Sequence, residues 1–348
     1  MVSKPLAPPS EAACTRRDDD MTVYVGIDVS KHKVDVCWLR DPQTLKVKTR
    51  VFSNQQAGFS QLIQWLLKHT EEPAESIEVM MEATGVYYEA LAYALYEAGL
   101  AVYVTNPYKV KEFGNSLGRR SKTDKRDSIV LARFLHSRTH QRWQPEPEEV
   151  RHLKALLSRI RALDTDIQRE HNRQEKAQIQ RASAPVEQSL RTMIDALEHE
   201  RERLEQEVDE HFDNHPDLKR DRDLLRTIPG IGRVLSNNLT AVLRSREFRN
   251  AGQAAAFIGL IPIMHESGCS VWARPKLSKA GAAYLRAKLY MAAIVAIQHN
   301  RAIKAHYQRL IARGKAKMSA LGAAMRKLVQ MAYGVLKHQK GYDPQWAG

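Results

Sequence analysis

Apolar and polar residues alternate in two different rhythms along this chain, and the change of rhythm divides it. Val23-Tyr24-Val25-Gly26-Ile27 is a continuous apolar run of the kind a buried strand makes, and it ends on Asp28. Lys33 to Trp38 alternates as a half-buried strand does, and Leu45 to Phe52 offers a third strand. Gly58 to Leu67 has helical spacing. Ile77 to Met81 reads as another buried strand, ending on Glu82; Val86 to Ala98 reads as a helix and Ala101 to Val104 as a strand closed by Asn106-Pro107. Three strands followed by alternating helix and strand is the order of an RNase H-like α/β fold. These elements predict a first domain over residues 21–146.

The rhythm then becomes purely helical. Val150, Leu153, Leu157, Ile160, Leu163 and Ile167 fall at steps of three and four, Pro185 interrupts, and Leu190, Ile194, Leu197, Leu204 and Val208 resume the stripe. Narrow apolar stripes with charged flanks predict a helical hairpin or coiled coil over residues 147–222. One reading makes it a dimerisation arm, the other a hairpin packed on its own domain. Residues 223–348 form the last segment, mostly helical, with Leu289 to Ile297 as a core helix. Near its start, Ile228-Pro229-Gly230-Ile231-Gly232 resembles a helix-hairpin-helix, in which Gly230 and Gly232 would let the backbone approach a phosphate. Residues 1–20 carry prolines and clustered charges and are expected to form a disordered tail; Met21 is an alternative start.

Composition narrows the function. The chain is 348 residues long, 43% hydrophobic and 27% charged, with a formal net charge of +14. From Leu224 onward there are 20 Lys and Arg against 3 Asp and Glu, so all the excess positive charge lies in the last third. Such asymmetry points to a polyanion, nucleic acid above all. No apolar run reaches the ~20 residues of a membrane span. Cys14, Cys37 and Cys269 form no metal-binding spacing, and a reducing cytoplasm fits them. His136 and His140 lack a nearby partner ligand and read as surface residues.

Four carboxylates stand out. Asp28 and Glu82 end two strands; Asp124 and Asp127, in Lys-Thr-Asp-Lys-Arg-Asp, share one helical face at i,i+3. Hard oxygen ligands so placed suit two Mg²⁺ ions ~3.5–4 Å apart, which clamp the attacking and leaving oxygens of a phosphodiester. Lys122, Lys125 and Arg126 beside them suit a DNA backbone. Three rivals compete. An actin-like ATPase would need a second Asp-Gly phosphate loop, which is missing. A RuvC-like Holliday-junction resolvase would use the same acids with a metal-activated water. An architectural DNA-binding protein would have no use for four intact acids.

These acids, the helical middle, Ile-Pro-Gly-Ile-Gly, and His-Glu-Ser-Gly-Cys-Ser ahead of Ser-Lys-Ala-Gly together resemble the DEDD-type insertion-sequence recombinases, which include the Piv-type DNA invertases and bridge-RNA-guided transposases. The resemblance spans about Met21 to Lys337. It implies a RuvC-like N-terminal domain, a coiled-coil connector, and a C-terminal transposase domain whose nucleophilic serine maps to Ser267. It also implies double-stranded DNA (element ends and target) as substrate and a structured guide RNA as partner. Recombination needs two duplexes held together, so a homo-oligomer is expected, a dimer at least and a tetramer on DNA. Met264 to Leu277 reads as a polar loop carrying Ser267-Gly268. His265 and Glu266 are candidate bases, although the Mg²⁺ pair held by the four acids is the more attractive activator of the serine; Arg274, Lys276 and Lys279 are candidates to neutralise the phosphate.

Overall fold

The computed structural model describes residues 22–117, 124–267 and 271–345; over residues 124–125, 264–267 and 271–275 only the backbone is described. The expected tail at residues 1–20 and Lys122 lie outside these residues. Two compact units divide the chain, Met1–Pro145 and Glu146–Gly348.

The first unit is built on a sheet in the order β3-β2-β1-β4-β5, comprising β1 (Val23–Val29), β2 (Lys33–Asp41), β3 (Lys46–Ser53), β4 (Ile77–Glu82) and β5 (Ala101–Thr105). Strand β2 runs antiparallel to β1 and β3, whereas β1, β4 and β5 are parallel. This is the expected RNase H-like arrangement. One face carries α1 (Gln56–Thr70) and α2 (Glu89–Glu97), packed on Val25, Ile27, Val79 and Met81, all fully buried. The other face carries α4 (Asp124–Ser137), whose Leu131 and Phe134 pack on Met80 and Tyr103. Burial on both faces explains why β1 and β4 read as unbroken apolar runs.

Two local expectations are corrected. Asn106-Pro107 does not merely close β5: it opens α3 (Pro107–Ser116), with the Asn106 side chain accepting from Tyr108 N at 2.8 Å and proline at the first helical turn. The α2 helix begins at Glu89, because Gly85 takes a left-handed conformation at φ 61° and residues 85–88 form a turn.

In the second unit, α5 (Glu148–Ile179) and α6 (Ala184–Asn214) form an antiparallel hairpin, each about 45–50 Å long at 1.5 Å per residue. Pro185 lies in the first turn of α6, so it starts the returning helix. The base of the hairpin is packed on its own unit. Val150, Leu153, Leu157, Val208 and Phe212 meet Leu218 of α7 (Pro216–Arg226) and Ala241 of α8 (Arg233–Arg244). The farther half is different: Ile179, Val186 and Met193 are exposed.

The remainder packs α8 with α9 (Ala251–Phe257), α10 (Ala283–His299), α11 (Arg301–Ala312) and α12 (Lys317–His338) around one core that includes Leu239, Leu289, Ala293, Ala324 and Leu328. Buried Asp221 on α7 accepts from Arg244 Nε on α8 and from Gln339 Nε2 at 2.8 Å, tying three elements together. The segment read as a loop is an antiparallel hairpin of β6 (Pro262–Ser267) and β7 (Val271–Leu277). A two-stranded ribbon has free edges, so Pro262 and Pro275, which argue against a central strand, are tolerated here.

Candidate active site

The carboxylates of the first unit are placed by strand register. Ile27 pairs with Met81 across the parallel β1–β4 ladder, so the next residues, Asp28 and Glu82, stand level at the carboxyl ends of adjacent strands. Gly26 lies under α4, and Met80 packs against α4. Alternation therefore turns Asp28 and Glu82, two residues further along, to the same face as that helix. Both are half-buried.

The approach of α4 is governed by Gly26. A Cβ built there would stand 2.1 Å from the Ser128 carbonyl oxygen and 2.4 Å from Ala132 N. Only a residue without a side chain lets the helix backbone sit so low. Ser128 follows Asp127, so this contact brings Asp127, 8% exposed, over the strand carrying Asp28. Asp124 opens the same helix one turn earlier. Its side chain and that of Lys125 lie outside the described residues; Arg126 is exposed.

Sequence reasoning missed Asp35. It pairs directly with Asp28 across the antiparallel β1–β2 ladder, is 8% exposed, and is ion-paired to Lys33 at 3.0 Å. Facing carboxylates repel, so a cation at this point of the ladder stabilises it. The signal was available: alternation along Lys33 to Trp38 places Asp35 on one face with Cys37.

The donor set of this face is all hard oxygen, which suits Mg²⁺. Among the described residues, no group of three or more His, Cys, Asp and Glu side chains is arranged to hold a metal ion, and Asp124 is not among the side chains described. The loop after Glu82 is braced at the same rim. Ala83 N donates to Thr105 O at 2.9 Å and Thr84 N to Glu82 O at 2.9 Å.

His136 and His140 are not ligands of this site. His136 is exposed beside Tyr24; His140 is half-buried, bonded through Nε2 to Phe134 O at 2.8 Å. Burial pushes the His140 imidazole below its ordinary range, with Arg138 and Lys109 acting in the same direction.

In the second unit, Gly230 and Gly232 differ. Gly230 has φ 103°, and a Cβ there would meet Ala292 O at 2.8 Å and Ala296 Cβ at 2.9 Å, so it is a packing glycine against α10. Gly232 is exposed, precedes the first residue of α8, and has open space around its missing Cβ. Gly230 is half-buried, and Gly232 stands in the open at the N-terminus of α8. Ser267 ends β6, its backbone paired with Val271; its side chain, with those of His265, Glu266 and Arg274, lies outside the described residues, as does Ser270 altogether. Lys276 and Lys279 are exposed, the latter in a left-handed conformation at φ 54°.

Comparison with known proteins now decides the family. Residues 25–178 match a DEDD-type transposase model, and residues 222–308 match a model described as Transposase IS116/IS110/IS902 family. A pilin gene-inverting protein of Moraxella bovis is 31% identical over 322 residues, covering 92% of this chain and 97% of that protein. The chain belongs to the IS110 family of transposases. A pilin gene-inverting protein of Moraxella lacunata is 30% identical over the same length. The transposase also resembles a Thermus thermophilus RuvC structure at 15% identity, over 35% of this chain and 99% of that one, but with a TM-score of 0.26 the likeness carries no weight by itself. As a member of this family it is a DNA recombinase, and both the α/β first domain and the mostly helical second part agree with that assignment. No helix among the described residues is long and apolar enough to cross a membrane.

Proposed function

We propose that this transposase cuts and rejoins DNA strands at a Mg²⁺ site held by Asp28, Glu82, Asp124 and Asp127, with Ser267 as the nucleophile. What supports the metal site is that Asp28 and Glu82 stand level at the ends of adjacent strands, on the sheet face covered by the helix that bears Asp127 and that Gly26 lets sit low. When bound, Mg²⁺ would supply charge neutralisation for the scissile phosphate. The chain's own part is to supply the carboxylate oxygens that would meet the ion. The sheet holds Asp28 and Glu82; the pressed helix holds Asp127.

In the second unit, the Ser267 Oγ attacks phosphorus as one P–O bond of the strand breaks. The hydroxyl proton goes to a base, for which His265 and Glu266 are the nearest residues in sequence, and the departing strand oxygen takes up a proton. The phosphoserine ester conserves the energy of the broken bond, so attack by a new strand's hydroxyl reverses the step without ATP. Exposed Lys276 on β7 and exposed Lys279 just beyond it, together with Arg274, supply positive charge beside the hairpin. The double-stranded DNA of the element ends and target is the substrate.

Two partners complete the proposal. A structured guide RNA reads the sequence by base pairing, which leaves the basic C-terminal third to hold backbone and shape. A second copy of the chain covers Ile179, Val186 and Met193 on the far half of the α5–α6 hairpin, giving a dimer that becomes a tetramer on DNA.

The test is cleavage of DNA carrying the element's ends, with Mg²⁺ and then with EDTA. Asp28→Ala, Glu82→Ala and Asp127→Ala should each abolish cleavage while the thermal midpoint stays within a few degrees of the parent. Full cleavage in EDTA would overturn the metal site. Equal recombination after RNase treatment with no added RNA would remove the guide.

A further inference from the structure

On the face of the sheet opposite α4, at the same strand ends, lies an open groove of about 350 Å³ bordered by Lys31, Asn54, Phe59, Val86, Tyr87 and Ala90. Val86 is 69% exposed and Tyr87 45% exposed, side by side on the loop that follows Glu82. Adjacent large apolar side chains on a solvent-facing loop mark a contact surface more often than single scattered ones do. Lys31 is exposed at the opposite border, and no acidic residue lines the groove.

The groove is fixed to the strands that bear the carboxylates. Asn54 Nδ2 donates to Ser30 O at 2.8 Å and to Tyr87 O at 3.1 Å. One amide thus joins the turn after Asp28 to the loop after Glu82. That turn is closed by Ser30 Oγ donating to Lys33 O at 2.8 Å, and Asn54 N donates to His32 O at 3.0 Å. Lys31 stands three residues beyond Asp28 and Tyr87 five beyond Glu82, at most about 10–17 Å along extended chain. That ceiling is about three to five nucleotide steps at 3.4 Å each, so the groove lies within a few nucleotides of the carboxylates.

We propose that this groove binds unpaired bases of the DNA strand next to the cut phosphate, with a base stacked on Tyr87 against Val86 and a backbone phosphate at Lys31. The proposal rests on the phosphodiester reading of the carboxylate face. Strand exchange explains the need: a cut strand rejoins a new partner only after leaving its complement, and a stacking platform holds it meanwhile. Stacking on an aromatic ring accepts any base, so this contact adds hold without adding sequence preference.

The test uses the full-length protein in EDTA, so that binding is read without chemistry. Fluorescence anisotropy with a single-stranded dT10 probe should show affinity reduced about 5- to 100-fold by Tyr87→Ala, with Tyr87→Phe near the parent. Lys31→Ala should weaken binding and lower the salt slope by about one. A 20-base-pair duplex should lose less than twofold to Tyr87→Ala. A 5-iodouracil probe should crosslink to the peptide carrying Val86 and Tyr87. Equal dT10 affinity in Tyr87→Ala, an equal loss on duplex, or a crosslink elsewhere would overturn the proposal. Tighter binding of rU10 than of dT10 would overturn its assignment to DNA. A protein that binds dT10 through Tyr87 yet cuts nothing with Mg²⁺ would sink the catalytic reading and leave the groove standing.

Discussion

Replacing Gly26 with alanine should damage catalysis more than stability. The added Cβ would stand 2.1 Å from the Ser128 carbonyl oxygen and 2.4 Å from Ala132 N, both backbone atoms that cannot swing aside. An ordinary contact needs about 3.4 Å, so α4 must lift by about 1 Å or tilt. Overpacking of this kind costs about 1–3 kcal/mol. For a unit of this size that is roughly 3–5 °C per kcal/mol in thermal midpoint. The lift acts directly on Asp127, one residue before Ser128, and a misplacement of about 1 Å at a reacting centre costs about 100-fold in rate. Circular dichroism melts and a cleavage time course on the same DNA separate the two effects. Gly322→Ala is the control, because its Cβ would meet the Leu277 side chain at 3.5 Å, an ordinary contact. Parental cleavage by Gly26→Ala, with an unshifted melt, would refute the argument that this glycine seats the helix.

Two further predictions concern the second unit. Asp221 is fully buried and bonded to Arg244 and Gln339, so Asp221→Ala should cost about 2–4 kcal/mol, the lower part of the range because Arg244 is partly exposed and can recover water; a urea midpoint unchanged from the parent would contradict this. Burial, with His215 and His152 beside it, pushes the His211 imidazole below its ordinary range, while its bond to Glu149 O and the Glu149 carboxylate act the other way. The unfolded chain therefore takes up this proton first as the medium is acidified. Stability is intact above about pH 6.5 and falls below it. The thermal midpoint should drop between about pH 6.5 and pH 5, with a shallower slope in His211→Gln, and equal slopes would refute it.

Much of this was legible in the sequence because burial on both sheet faces writes β1 and β4 as apolar runs that stop at Asp28 and Glu82. The helical stripes from Val150 to Val208 were legible for a similar reason, a fixed face repeated over many turns. Other features depend on contacts between distant residues. The two glycines of Ile-Pro-Gly-Ile-Gly look alike as letters, but Gly230 is pressed on α10 whereas Gly232 is open. Asp35 carries no motif, and its meaning comes only from the cross-strand register with Asp28. Asn106-Pro107 reads equally as a strand end or a helix start, and the packing of Val110 and Phe113 of α3 decides it. The Ser267 segment reads as a loop because its glycine, its proline and its mixed polarity speak against a strand, yet a two-stranded ribbon allows them.

The most direct test of the central claim is the covalent link itself. The full-length protein is incubated with Mg²⁺ and labelled DNA carrying its element's ends, then separated on a denaturing gel and digested for mass spectrometry. The account predicts a protein–DNA adduct on the peptide containing Ser267. Ser267→Ala should lose it while still binding DNA, and Ser270→Ala should retain it. Cleavage without any adduct, or an adduct that persists in Ser267→Ala, would contradict the serine mechanism and leave a water nucleophile at the carboxylate site in its place.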